Sequence, residues 1–191
     1  ANAGATLNVT SGTLTVGAGG QLKSLAGAGG GTRTLGAVLN NQGTLTVSHP
    51  LSLARDGADH LNSGTINVSG GDLSVTQTGT TPSFSTSGPI SIGAGRVLSV
   101  TGGTFTQTAG TLSGATGTLA LSSLTATFGQ ALNTLNLGLD FTNCTLGGPS
   151  LTNGAGATLT LSGDILNLPL TNSGTLILNG SKFCPGGLVS S

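Results

Sequence analysis

The sequence predicts an all-β protein, folded as a right-handed parallel β-solenoid. Three observations carry that expectation. The 191 residues contain a degenerate internal repeat. Within each unit, polar and apolar residues alternate with period two, the signature of a half-buried strand. The composition is also hostile to helices: Glu and Met are absent, Lys occurs twice and Gly fills 35 positions.

The units can be followed along the chain. Gly12-Thr13-Leu14-Thr15-Val16 opens the series, and Asn41-Gln42-Gly43-Thr44-Leu45-Thr46-Val47 is its fullest form. Asn62-Ser63-Gly64-Thr65-Ile66-Asn67-Val68 repeats it, and Gly95 to Val100 and Gly117 to Leu121 are looser copies. Leu135 through Leu137 and Leu139 to Phe141, Gly156 to Leu161, and Leu166-Asn167-Leu168-Pro169-Leu170 keep the alternation. Asn172-Ser173-Gly174-Thr175-Leu176-Ile177-Leu178 closes it. In each unit the glycine is read as a turn position that tolerates φ > 0. The Leu, Val and Ile that follow face inward, and the Thr, Ser and Asn face out.

One such unit cannot bury its apolar side alone, but stacked units can. Gly43 to Gly64 spans 21 residues, Gly64 to Gly88 spans 24 and Gly156 to Gly174 spans 18. This predicts about nine or ten coils of roughly 18–24 residues in a single domain over 1–191, with 179–191 as a C-terminal cap or tail. Gly79, Pro82 and Pro89 interrupt the pattern and leave the register open between Thr76 and Gly95. A β-sandwich is the alternative, since short strands separated by turns fit it too.

The Gly-Thr-Leu-x-Val/Leu strands and Asn-x-Gly turns resemble the repeats of bacterial autotransporter passengers and filamentous-haemagglutinin-like adhesins. That resemblance implies a secreted or cell-surface location and an extended structural or adhesive role. It implies no catalytic residue and no cofactor.

Charge narrows the function classes. Five Lys/Arg balance five Asp/Glu, which is 5% of the chain against about 25% in ordinary domains. A net charge of zero offers no footprint for nucleic acid. No apolar run reaches the ~18 residues of a membrane-spanning helix. The small residues Ala1-Asn2-Ala3-Gly4-Ala5 fit a mature chain after signal removal or a segment of something longer.

Few residues are candidates for chemistry. Arg55-Asp56-Gly57-Ala58-Asp59-His60 concentrates charge. It reads first as a solvated turn in which Arg55 offsets an Asp; the second reading is a small cation site at Asp56, Asp59 and His60. Thr-x-Thr pairs could stack into an ice-binding ladder, but their starts are not spaced by one coil length, so they read as ordinary outward threonines. Cys144 and Cys184 are 40 residues apart, about two coils. Regular stacking would hold their Cα atoms beyond the ~7 Å limit for a bridge, so a disulfide requires the tail to fold back as a cap. Nothing charged in sequence guards the edge segment Thr6, Leu7, Asn8 and Val9, and unpaired strand edges are templates for further pairing.

The expectation is therefore a non-enzymatic extracellular structural protein, a stalk, adhesin or self-assembling fibre subunit whose partners are copies of itself or surface glycans. An ice- or glycan-binding solenoid is the alternative. A polysaccharide lyase or hydrolase has the least support, because acids are few and Tyr and Trp are absent.

Overall fold

The computed structural model describes residues 4–28, 30–183 and 188–190, with the backbone alone at Ala115 and 188–190. Among the described residues there is no helix, and every strand pairing is parallel. This is a β-solenoid of about eight turns and not a sandwich. Each turn contributes one strand to each of three faces.

The first face stacks residues 5–8, 33–36, Leu51–Leu53, Leu73–Thr76, Val97–Thr101, 118–122, Leu137–Thr142, Thr158–Ser162 and Thr175–Asn179. The second stacks 13–16, 38–41, Asp59–Asn62, Ser83–Thr86, Thr104–Gln107, Thr125–Phe128, Thr145–Gly147, Ile165–Asn167 and Lys182–Phe183. The third begins with Gln21–Ser24, Thr44–Val47, Thr65–Val68, Ile90–Ile92 and 112–113. It resumes as a separate four-stranded sheet of Leu132–Asn133, Leu151–Asn153, Leu170–Asn172 and Leu188–Ser190.

There are fewer turns than the nine or ten expected because some are long. Leu7 pairs with Leu35, 28 residues on, and Val75 with Val100, 25 residues on. The extra residues leave the strands as a bulge after Asn8 and as a loop after Gln77. The register around the prolines is now fixed, since Ser83–Thr86 and Ile90–Ile92 sit on the second and third faces.

Period-two alternation sends every second residue into the column. Leu35, Leu53, Val75, Val100, Leu121, Phe141 and Leu161 form one continuous inward row on the first face. Four of the five phenylalanines stack through the middle of the core. Phe84 and Phe105 meet edge to face at 5.7 Å, Phe105 and Phe128 lie 5.8 Å apart, and Phe128 and Phe141 6.5 Å apart. Such offset contacts contribute about 0.5–1.5 kcal/mol each beyond area burial.

Two corners are built differently from the sequence reading. Gly43, Gly64 and Gly88 stack where the second face turns into the third, and none has a positive φ. They are glycine because of space: a Cβ on Gly64 would collide with the Gly43 carbonyl, and one on Gly88 with the Gly64 carbonyl. The left-handed conformation, although Gly19 and Gly110 adopt it at this second-to-third corner too, recurs at the corner between the first and second faces. There Gly102, Ser123, Asn143, Gly163 and Gly180 have φ of 78°, 56°, 54°, 73° and 76°.

The asparagines of the Asn-x-Gly units are also not exposed turn residues. Asn41 and Asn62 point inward and are buried. Asn41 Nδ2 donates to Asn62 Oδ1 at 2.7 Å and to the Thr65 carbonyl at 3.0 Å; Asn62 Nδ2 donates to Thr86 Oγ1 at 3.0 Å. A second short ladder joins Asn153 Nδ2 to Asn172 Oδ1 at 2.7 Å. Each of these amides donates to a group one turn on, which offsets part of the desolvation penalty of a buried polar row; Asn41 Oδ1 has no hydrogen-bond partner among the described residues.

Candidate functional site

The two end rungs expose apolar residues that belong to the inward row. At the N-terminal end, Leu7 lies in the inward row above Leu35, yet it is 50% exposed because no described residue covers it. Leu22 and Leu25 join it around an open apolar cavity of about 360 Å³ floored by Leu35 and Leu51, with Lys23 and Arg33 among its lining residues. Of the expected edge segment, Thr6, Leu7 and Asn8 pair on one side only, with Thr34, Leu35 and Gly36.

Val9 is different, and it corrects the expectation that nothing charged guards this edge. Arg55 reaches up from the third turn and donates to the Val9 carbonyl at 2.8 Å and the Thr10 carbonyl at 3.1 Å. Arg33 does the same for the loop beside it, donating to the carbonyls of Leu25, Gly30 and Gly31. Two of the chain's few cations thus fasten the N-terminal turn through backbone carbonyls. Sequence adjacency had pointed Arg55 at an aspartate instead.

At the C-terminal end, Leu178 continues the same inward row below Leu161 and is 47% exposed. Ile177, facing outward, is 46% exposed, and Phe183 is only partly buried.

Asp56, Asp59 and His60 do not converge. Alternation along Asp59–Asn62 sends Asp59 outward, where it accepts from Ser83 Oγ at 2.7 Å, and His60 inward. Asp56 accepts from Thr78 Oγ1 on the exposed turn. No cluster of three metal-ligating side chains exists among the described residues. His60 is a core residue. Its Nδ1 accepts the Leu39 N–H at 3.1 Å, which puts the proton on Nε2, and that atom has no partner among the described residues. Burial lowers its pKa to about 4, against the opposing pull of Asp59.

Cys144 is buried, and its thiol donates to the Thr142 carbonyl at 3.4 Å. Burial raises its pKa and keeps it protonated and unreactive. Cys184 and its Pro-Gly-Gly turn lie outside the described residues. Next to Cys144 sits a residue that the sequence reading missed. Asp164 is buried and accepts the backbone N–H groups of Cys144 and Ser162, both at 2.8 Å. Burial raises its pKa, and the two N–H bonds oppose that. Its signal was available in the 20-residue step that stacks Asp164 on Cys144.

The Thr-x-Thr pairs are scattered over all three faces, which explains their irregular spacing. One pair of turns does stack: Thr104 and Thr106 lie over Thr125 and Thr127, with Ser83 and Ser85 above and Thr145 below.

The fold and these exposed rungs define the class of protein, a parallel β-solenoid with open strand edges at both described ends. The chain matches no family model, no curated protein and no solved structure.

Proposed function

We propose that this is a non-enzymatic extracellular structural protein, a solenoid stalk or adhesin unit that assembles head to tail with copies of itself. The observation that carries the reading is the match between its ends. Leu7 and Leu178 terminate the same inward row, and both are about half exposed. A second copy placed with its first rung against Leu178 continues the row in the same parallel sense, at the ~4.8 Å strand spacing. Such a heterologous contact does not close on itself and generates a filament. The neutral surface adds no repulsion between copies. The likeness of the repeats to autotransporter passengers and filamentous-haemagglutinin-like adhesins supports the extracellular, adhesive side of the reading.

Electron microscopy and light scattering over a concentration series test it. Filaments or end-to-end oligomers are expected, and Leu7→Asp or Leu178→Asp should each disperse them without unfolding the chain. Monomers at every concentration would overturn it.

A second reading, ice binding, draws support from the aligned hydroxyls of Ser83, Ser85, Thr104, Thr106, Thr125, Thr127 and Thr145. It predicts thermal hysteresis that is lost in Thr106→Tyr. No hysteresis in the unaltered protein removes it.

A further inference from the structure

We propose that the open cavity at the N-terminal end binds a single-chain fatty carboxylate, with the alkyl chain among its leucines and the carboxylate against Arg33. The cavity is about 360 Å³, and its lining includes Leu7, Leu22, Leu25, Leu35, Leu51 and Arg33. Two of its walls are the first strands of the first and third faces, residues 5–8 and Gln21–Ser24, each of which pairs on one side only. Leu7 is 50% exposed and Leu25 56% exposed, so the apolar wall is open to a ligand from solution.

Arg33 points to the charge of that ligand. It heads an inward row that is otherwise leucine: Leu51, Leu73, Leu98, Leu119 and Leu139 follow it, one per turn, and all are buried. Another leucine would continue the row; arginine puts a cation at its open end instead. Its Nε donates to the Leu25 carbonyl at 3.2 Å, and its Nη1 to the Gly30 and Gly31 carbonyls at 2.9 and 2.7 Å. These bonds fix the guanidinium and leave the two N–H donors of Nη2 without a partner among the described residues. Arg33 is partly exposed, so a carboxylate can reach it. Its three partners are neutral, and among the described residues it has no ion pair. Lys23, exposed on the neighbouring edge strand, adds a second cation, and no Asp or Glu occurs in residues 1–55.

The leucines set the rest of the class. Each methylene placed among them leaves water, which favours an alkyl chain. A sugar or a free phosphate would lose its hydration against leucine without new partners. At the ~30 Å³ that one water occupies in the liquid, the cavity holds about a dozen groups of that size, which suits a chain of roughly eight to ten carbons with its carboxylate. A cationic amphiphile fits the walls equally well but meets Arg33 with like charge.

The cavity shares Leu7 with the end that the assembly reading gives to a second copy, so the two are tested apart. The titration uses the Leu178→Asp protein, which leaves the N-terminal end intact and free whether or not the unaltered chain assembles. Calorimetry with sodium hexanoate, octanoate and decanoate, below their micellar range, should give one site per chain that tightens by about two- to fourfold per methylene. Decyltrimethylammonium should bind at least about tenfold more weakly than decanoate. Arg33→Gln should lower decanoate affinity by about tenfold. Leu25→Asp changes an exposed residue, sets a carboxylate against that of the ligand and should lower the affinity by a similar factor; it keeps the test intact if Arg33→Gln fails to fold. No saturable decanoate binding, equal affinity for decyltrimethylammonium, or unchanged affinity in Leu25→Asp would each overturn the proposal. So would sedimentation with phosphatidylglycerol vesicles by a chain that ignores decanoate, which would assign this end to a membrane surface. Failure of the unaltered protein to form filaments would overturn the assembly reading and leave the titration standing.

Discussion

Gly64 and Gly180 occupy two corners of the solenoid and are glycine for opposite reasons. Where the second face meets the third, Gly43, Gly64 and Gly88 have ordinary φ, but successive backbones pack so closely that a Cβ would enter the carbonyl of the previous turn. Where the first face meets the second, the chain adopts the left-handed conformation, and side chains fit there: Ser123 and Asn143 occupy it alongside Gly102, Gly163 and Gly180. A Cβ on Gly180 would meet nothing within 4 Å. Gly64 is limited by space and Gly180 by torsion.

The contrast can be tested by substitution. Gly64→Ala should be the most damaging change, because the obstacle is backbone that cannot move without breaking the stack; a loss on the order of 3–5 kcal/mol is expected in denaturant melts. If it costs no more than Gly180→Ala, the distinction between the two glycines fails.

The strand between these corners supplies the next effect. His60 is held neutral, with a pKa near 4 against an ordinary 6.5. A depressed pKa means that the contribution is complete above pH 6.5 and is lost as pH falls toward 4, about 3 kcal/mol in all at 1.36 kcal/mol per unit. Asp164 works in the opposite sense. Its pKa is raised, so its contribution is present in acid and lost as pH rises through the folded value. Chemical unfolding between pH 7 and 4 should show the acid loss, and His60→Leu should flatten it. Since neither corner's glycines titrate, Gly64→Ala and Gly180→Ala should leave the slope with pH unchanged.

Gly180→Ala should cost about 1 kcal/mol, the price of left-handed φ alone. The smallest effect has the opposite sign. Asn143→Gly should leave stability unchanged or raise it by a few tenths of a kcal/mol, since Asn tolerates this conformation better than most residues and Gly tolerates it fully. A loss above 1 kcal/mol in thermal melts would show that the Asn143 side chain contributes more than torsion explains.

Much of the fold was legible in sequence because it is local. Alternation in Thr44–Val47, Thr65–Val68 and Thr158–Ser162 marks strands, and the 21-residue step from Gly43 to Gly64 is a true stacking distance. The polar core was legible in principle and was missed. Asn41 and Asn62 sit in the inward phase of their strands, 21 residues apart, but the habit of reading Asn-x-Gly as an exposed turn hid them. His60 was misplaced for a related reason: its neighbours in sequence are charged, while its neighbours in space are Leu39 and Phe84.

Other features had no local signal. Arg55 reaches carbonyls about 45 residues away, and only the stacking order of the turns brings them within range. The break in the third face after residues 112–113 depends on one missing strand pairing between turns, and the sequence of either turn alone gives no hint of it.

The sequence by itself determined the solenoid, because each turn repeats the same short-range rule: a polar-apolar strand, a corner, another strand. Tertiary structure decided what each corner demands of its glycine, which polar residues enter the column, and where rows end unpaired. Those depend on the distance between successive turns, a property that no single turn possesses.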